Sequence, residues 1–265
     1  MKRVLIFLIM SLLLTGCGVE GTYSIPDNND ESVPVTSPSG EEEEPLGDTP
    51  GEEPGEDVEP EPVEEPVSFD FLTSPADELV AALQFMASPI QGAEVTIYES
   101  NMPNAPRPYR NGYHEGLDYF GARGTAVLSV APGTVIRADY DFVELTLAEY
   151  DEAIRISAEA EITPDDILDK LRGRQVWIEH EYGIVTRYAH LETVEPGLVV
   201  GDTIEAGRVV GTMGNSGTKS AVVGKVLSTA SSPHLHFEIW QDDVFLGKDR
   251  TPSEVRTIYT GILDR

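Results

Sequence analysis

From about residue 110 the chain is cut by glycine, proline and aspartate into short apolar runs: TAVLSV, GTVIRA, RQVWIEH, GIVTRYAHL, DTIEAG, RVVGTMG and HLHFEIW. Runs of this length, bounded by turn residues, read as β-strands. So many in succession predict a mainly β domain, an antiparallel β-sandwich or barrel-like fold. Two stretches interrupt the pattern. Residues 141–173 read as a helical insertion, with Thr163-Pro164-Asp165-Asp166 as a capped start and Gly173 as a stop. Residues 219–232, KSAVVGKVLSTASS, make a connection longer than two strands require, and loops of that length are often functional. Upstream, Ser74-Pro75-Ala76-Asp77 predicts a short N-terminal helix, with Ser74 as N-cap and Pro75 at its first position. Leu79, Val80, Leu83 and Met86 then repeat at helical spacing.

By length, residues 69–265 make one unit: a lead-in at 69–106 and the β domain at 107–265. This unit carries sixteen basic and thirty acidic residues, a balance that argues against nucleic acid or any polyanion held mainly by field. Residues 18–68 are a different material, with seventeen acidic residues, nine prolines and no Lys or Arg. Such a segment cannot bury enough apolar surface to offset its chain entropy, so it is expected to stay disordered. Like charges and prolines would extend it to roughly 3 Å per residue, a tether on the order of 100 Å. At the start, Lys2 and Arg3 precede an apolar run from Val4 to Leu14, too short to span a bilayer but suited to a signal peptide. The run closes in Leu14-Thr15-Gly16-Cys17, which resembles the bacterial lipobox, where the cysteine is lipidated. The expectation is an exported bacterial lipoprotein, anchored to the cell membrane through Cys17 and facing the cell wall. Cys17 is the only cysteine, so the domain forms no disulfide despite that context. Any metal site must draw on His, Asp or Glu.

The chain has five histidines, and two of them stand one residue apart in SSPHLHFEIW. On a strand, His234, His236, Glu238 and Trp240 share one face, while Leu235, Phe237 and Ile239 point into a core. The two imidazoles then lie about 6–7 Å apart, a spacing a metal site can use, although H-x-H by itself is a weak signal and more often structural or incidental. In YHEGLDYF, His114 and Asp118 are four residues apart, and Gly112 and Gly116 argue against a helix there. The stretch begins as His-Glu-x-x-His enzymes begin, but its fifth position is Asp118, so Glu115 is not assigned as a general base. RYAHL closes a strand with His190 on the face of Tyr188 and Thr186.

Together, His114-x-x-x-Asp118, Tyr188-x-His190-Leu191 and His234-Leu235-His236-Phe237-Glu238 resemble, in order, the motifs of the lysostaphin/LytM-type zinc metallopeptidases. The intervening GTAVLSVAPGTVIRA and PGLVVGDTIEAGRVVGTMGNSGT are similar to that family's β filler, and the resemblance covers about residues 107–240. It implies a duplicated hybrid motif fold and one Zn²⁺ per domain. It also implies hydrolysis of peptide crosslinks in bacterial peptidoglycan by a zinc-activated water. Carried over by position, it implies His114, Asp118 and His236 as zinc ligands, with His190 and His234 as the catalytic pair that handles substrate and water. His180 matches no catalytic position and reads as structural, while Glu115 and Glu238 are expected behind the ligands or solvated. Both inserts exceed what compact members need, and 219–232 is expected to border the substrate groove. The implied partners are a peptidoglycan peptide and, through the N-terminal lipid, the membrane, with no nucleic acid.

Three other readings stand beside this one. A non-hydrolytic regulatory or scaffold lipoprotein of the same fold would normally lack several of the five residues, and here none is missing. A biotinyl- or lipoyl-type carrier needs its modified lysine at a tight turn, whereas Lys219 and Lys225 lie in the long connection. A passive acidic surface lipoprotein is separated from an enzyme by zinc analysis and a wall-digestion assay.

Overall fold

The computed structural model describes residues 68–226, 228 and 232–264. The signal segment at 1–17, the acidic segment up to residue 67, and positions 227 and 229–231 of the long connection lie outside the described residues. In chain order the regular elements begin with α1 (Ala76–Ala82), β1 (Leu117–Phe120), β2 (Ala126–Leu128) and β3 (Gly133–Ala138). The helical insertion supplies α2 (Leu147–Glu159) and α3 (Asp165–Arg172). Then come β4 (Val176–Glu179), β5 (Ile184–Ala189), β6 (Leu191–Val194), β7 (Thr203–Ile204) and β8 (Val209–Met213). The chain ends with α4 (Lys219–Val222), β9 (His234–Gln241), β10 (Val244–Phe245) and α5 (Pro252–Leu263).

All pairings are antiparallel. The larger sheet runs β1-β9-β5-β4-β3-β7, with β10 hairpinned onto β9, and a smaller sheet runs β2-β8-β6. The domain is therefore mainly β and sandwich-like, as its short runs imply. Register sorts the larger sheet into two faces. Phe237 stands opposite Leu117 and Tyr188, and Ile239 opposite Thr186, on the core side. That side joins Ile178, Ile184 and the α5 residues Val255, Ile258, Tyr259 and Ile262 in one buried cluster. Each such side chain contributes about 1.5–3 kcal/mol of transfer free energy when fully buried. The opposite face carries the row Arg137–Trp177–Arg187–Glu238, each residue directly paired with the next across β3, β4, β5 and β9.

The helices depart from their sequence signals in instructive ways. α1 starts one residue later than expected, with Pro75 as N-cap, because the Ser74 hydroxyl instead accepts the Asp70 N–H at 3.0 Å. α3 has Pro164 as N-cap, and the Thr163 hydroxyl donates to the Asn111 carbonyl at 2.7 Å rather than capping. Its C-cap is Gly173, at φ 69°, a left-handed position that suits glycine. α2 begins with a full capping box, Thr146 with Glu149. α5 was not expected from the sequence. Its signal is nevertheless legible as Thr251-Pro252-Ser253-Glu254, a capping box with Pro at N1, followed by apolar residues at helical spacing.

Candidate metal centre

The site is set by strand register. β1 and β9 pair so that Asp118 lies opposite His236 and Phe120 opposite His234. Directly opposed residues of an antiparallel pair project to the same face, so the carboxylate and both imidazoles meet on the side away from the core. β5 brings Ala189 alongside His236, and the next residue is His190, whose φ of 59° is rare for a non-glycine residue. That backbone turn swings its ring away from the strand axis and toward His234, 4.7 Å away between ring centroids. His114 arrives on the loop before β1, pinned by its own N–H to the Ala105 carbonyl and by its carbonyl to the Asn104 N–H, both at 2.8 Å.

Three donor atoms converge. His114 Nε2 lies 3.0 Å from Asp118 Oδ1 and 2.9 Å from His236 Nδ1, and His236 Nδ1 lies 2.9 Å from Asp118 Oδ1. All three residues are buried. A tetrahedral ion with bonds of about 2.0–2.1 Å spaces its ligand atoms about 3.3–3.4 Å apart. The triangle fits that requirement with an opening of a few tenths of an ångström. Two imidazole nitrogens and a carboxylate oxygen are also the donor chemistry of a catalytic rather than a structural zinc site. His234 Nε2 stands 4.0 Å from Asp118 Oδ1, beside this triangle rather than in it.

Each of the four site histidines has one ring nitrogen committed to an acceptor outside the centre. His114 donates Nδ1–H to the Met102 carbonyl at 3.0 Å, and His236 donates Nε2–H to Glu238 Oε1 at 2.7 Å. His190 donates Nδ1–H to the Ser216 carbonyl, and His234 donates Nδ1–H to the Ser232 carbonyl, both at 2.7 Å. Such outward bonds fix tautomer and ring orientation. The remaining nitrogens, with their lone pairs, are left for the centre.

Electrostatics follow the same division. Burial pushes His114, His190 and His234 below the ordinary imidazole range, so all three are held neutral. Burial also disfavours charge on His236, but its hydrogen bonds to Asp118 and Glu238 outweigh that and raise it. Burial would lift Asp118 as well, yet its contacts with His114 and His236 hold it well below the usual carboxylate range. Glu238 is wholly buried and kept ionised against burial chiefly by Arg172. Two buried carboxylates thus favour positive charge at one point, whether a proton on His236 or a cation in its place, with the neutral His114 beside it.

The centre opens into a cavity of about 530 Å³. Tyr150 of α2, Leu168 and Leu171 of α3, and Lys219 at the start of α4 form part of its wall. Both inserts therefore border it, where the sequence pointed only to the second. Tyr109 and Arg107 also line it, with Arg107 Nη2 3.6 Å from Asp118 Oδ2.

All five residues singled out from the motifs, His114, Asp118, His190, His234 and His236, come together here. His180 does not: it lies under the sheet, bonded to the Pro132 carbonyl at 2.8 Å and the Thr186 hydroxyl at 2.7 Å. Glu115 pairs with Arg110 at 2.7 Å, and Glu238 stands behind His236. The Met102 carbonyl, Arg107 and Arg172 had no motif to flag them.

A model of peptidase family M23 matches residues 112–248, just over half of the chain. The chain belongs to peptidase family M23. Among curated proteins, this M23 member is 24% identical over 140 residues to an uncharacterized metalloprotease of Buchnera aphidicola subsp. Baizongia pistaciae (strain Bp). The match covers 52% of this chain and 26% of that protein, so the peptidase spans about a quarter of its relative's length. Among solved structures it is similar to the catalytic domain of lysostaphin from Staphylococcus simulans. There the identity is 19%, over 58% of this chain and 82% of that one, with a TM-score of 0.34. A zinc containing peptidase from Vibrio cholerae gives 21% identity over 63% and 41% of the two chains, with a TM-score of 0.38. The family assignment rests on the match over residues 112–248.

Proposed function

We propose that this chain is a zinc-dependent endopeptidase that hydrolyses peptide crosslinks of bacterial peptidoglycan, tethered to the cell membrane by a lipid on Cys17. The observation that carries the reading is the convergence of His114 Nε2, Asp118 Oδ1 and His236 Nδ1 within 3.0 Å of one another beside two further neutral imidazoles. His114, Asp118 and His236 would hold the ion. The chemistry a zinc ion would supply there is Lewis acidity toward the scissile carbonyl and a bound-water pKa near about 7.

The rest of the work belongs to side chains. His190 and His234, neutral and oriented by the Ser216 and Ser232 carbonyls, each keep Nε2 for the reaction. One accepts a proton from the attacking water, and the pair then stabilises the developing oxyanion and returns a proton to the leaving amine. Phe120 stacks on the His234 ring at 4.9 Å and limits its rotation. The cavity walls from both inserts seat an extended peptide across the centre. The lipid tether is supported by the Leu14-Thr15-Gly16-Cys17 sequence and the long acidic segment after it.

Incubating the purified chain with cell-wall sacculi and identifying the released muropeptides by mass spectrometry tests activity and bond together. Activity is expected to vanish with chelator and return with Zn²⁺. His236→Ala should lose both metal and turnover, whereas His234→Ala should keep metal and lose turnover. Full hydrolysis by both variants would overturn the assignment. Cys17→Ser should release the protein from membranes.

A further inference from the structure

None of the family motifs lies within the helical insertion, yet its last helical residue reaches two of the histidines. Arg172 ends α3 and is buried, 7% exposed. Its Nε–H donates to Glu238 Oε1 at 2.6 Å, the same oxygen that accepts His236 Nε2–H at 2.7 Å. The other Glu238 oxygen accepts Trp240 Nε1–H at 2.6 Å, while Arg187, sandwiched between Trp177 and Trp240, stands 3.6 Å away. Glu238 is thus fixed on every side, and Arg172 is its nearest countercharge.

Arg172 also acts through its backbone. Its carbonyl accepts the His190 N–H at 2.9 Å, which helps hold the left-handed turn at that residue. The next two residues extend the hold. A Cβ on Gly173 would stand 2.4 Å from the Ser216 carbonyl carbon and oxygen, so the insert and the 215–218 loop touch backbone to backbone. The Arg174 N–H donates to Ser216 Oγ at 2.9 Å, and the Ser216 carbonyl is the acceptor that orients the His190 ring.

We propose that Arg172 is a positioning residue for the reaction centre. Its guanidinium holds Glu238 where that carboxylate keeps the His236 proton on Nε2 and turns Nδ1 toward His114 and Asp118, while its carbonyl sets His190. The insertion at 141–173 is therefore part of the centre and not an ornament on the sheet. A lysine cannot replace it in full, because the short contact is made by Nε within a planar, permanently charged fork. The inference rests on His236 being a zinc ligand.

The test is zinc affinity of the full chain in detergent, measured by competition with a chromophoric chelator well below the melting temperature. Removing an outer partner of a metal-bound histidine typically costs 10–100-fold in affinity. Arg172→Met is expected to fall in that range and Arg172→Lys to weaken binding by less, with turnover at saturating zinc reduced in both. Asp169→Asn is the control. Asp169 anchors the same helix to Arg137 and Gln175 without touching the centre, so its loss should lower the melting temperature and leave zinc affinity unchanged. Should Arg172→Met fail to fold, the Arg172→Lys value decides. Wild-type zinc affinity in the folded Arg172 variants, with none in His236→Ala, would overturn this proposal alone. Undiminished zinc binding in His236→Ala would instead overturn the ligand assignment beneath it.

Discussion

Gly116, midway between His114 and Asp118, gives a sharp test of how tightly the centre is packed. A Cβ there would lie 2.6 Å from the Phe237 carbonyl oxygen, 2.9 Å from His236 Cε1 and 3.0 Å from Glu238 Cγ. Its φ lies outside the left-handed region, so contact rather than backbone strain is the obstacle. Carbon–oxygen contacts of this kind settle at about 3.3–3.6 Å, and carbon–carbon contacts at about 3.5–4.0 Å. Gly116→Ala therefore needs displacements of at least about 0.5 Å against a β9 backbone that is paired on both sides. Overpacking of that order costs about 1–3 kcal/mol. For a domain of this size that is a drop of about 2–12 °C in melting temperature. Part of the displacement falls on the His236 ring, whose donor atom must stay within about 0.2 Å of its place to serve a metal. Zinc affinity should drop about 10–100-fold, or roughly 1.4–2.7 kcal/mol. Thermal unfolding of the metal-free protein and chelator competition measure the two effects separately. A Gly116→Ala protein that melts and binds zinc like the parent would show that β1 and β9 are not packed as described.

Three further outcomes are expected. Burial holds His180 below its usual pKa, only partly opposed by its bond to the Pro132 carbonyl, so its contribution to stability is present above about pH 6.5 and is lost as pH falls. Urea unfolding from pH 7.5 to 5 should show a shallower pH slope for His180→Gln than for the parent, and parallel slopes would refute this. Thr251→Ala removes the α5 capping box and should cost about 1 kcal/mol in chemical denaturation with turnover unchanged. Zinc at about 100 times its dissociation constant should stabilise the parent by about 2.7 kcal/mol, visible as a melting shift that chelator abolishes and His236→Ala lacks.

What the sequence carried was local in reach. Alternation in HLHFEIW fixed the two faces of β9, and the short runs fixed the antiparallel class, because period and turn chemistry are written in neighbouring residues. Three spaced motifs named the five residues that meet, but only through resemblance to a family, since their convergence depends on the pairing of β1, β5 and β9. The Ser74 hydroxyl closes a local turn with Asp70 and the Thr163 hydroxyl goes to Asn111 across the fold, so neither caps the helix that its spacing suggested. Arg172 was the least legible feature. One arginine at the end of a polar helix looks like a surface charge until α3 lies on the sheet and its partner proves to be a buried glutamate.

The bond from His114 to Met102 sets a practical boundary. The family match begins at residue 112, and the carbonyl that fixes this histidine lies before it. A recombinant fragment trimmed to the family limits would retain every recognisable motif. It would nonetheless leave one imidazole free to flip and to exchange tautomers. Fragments meant to retain the metal should begin upstream of α1, where the lead-in still has its own packing to lean on.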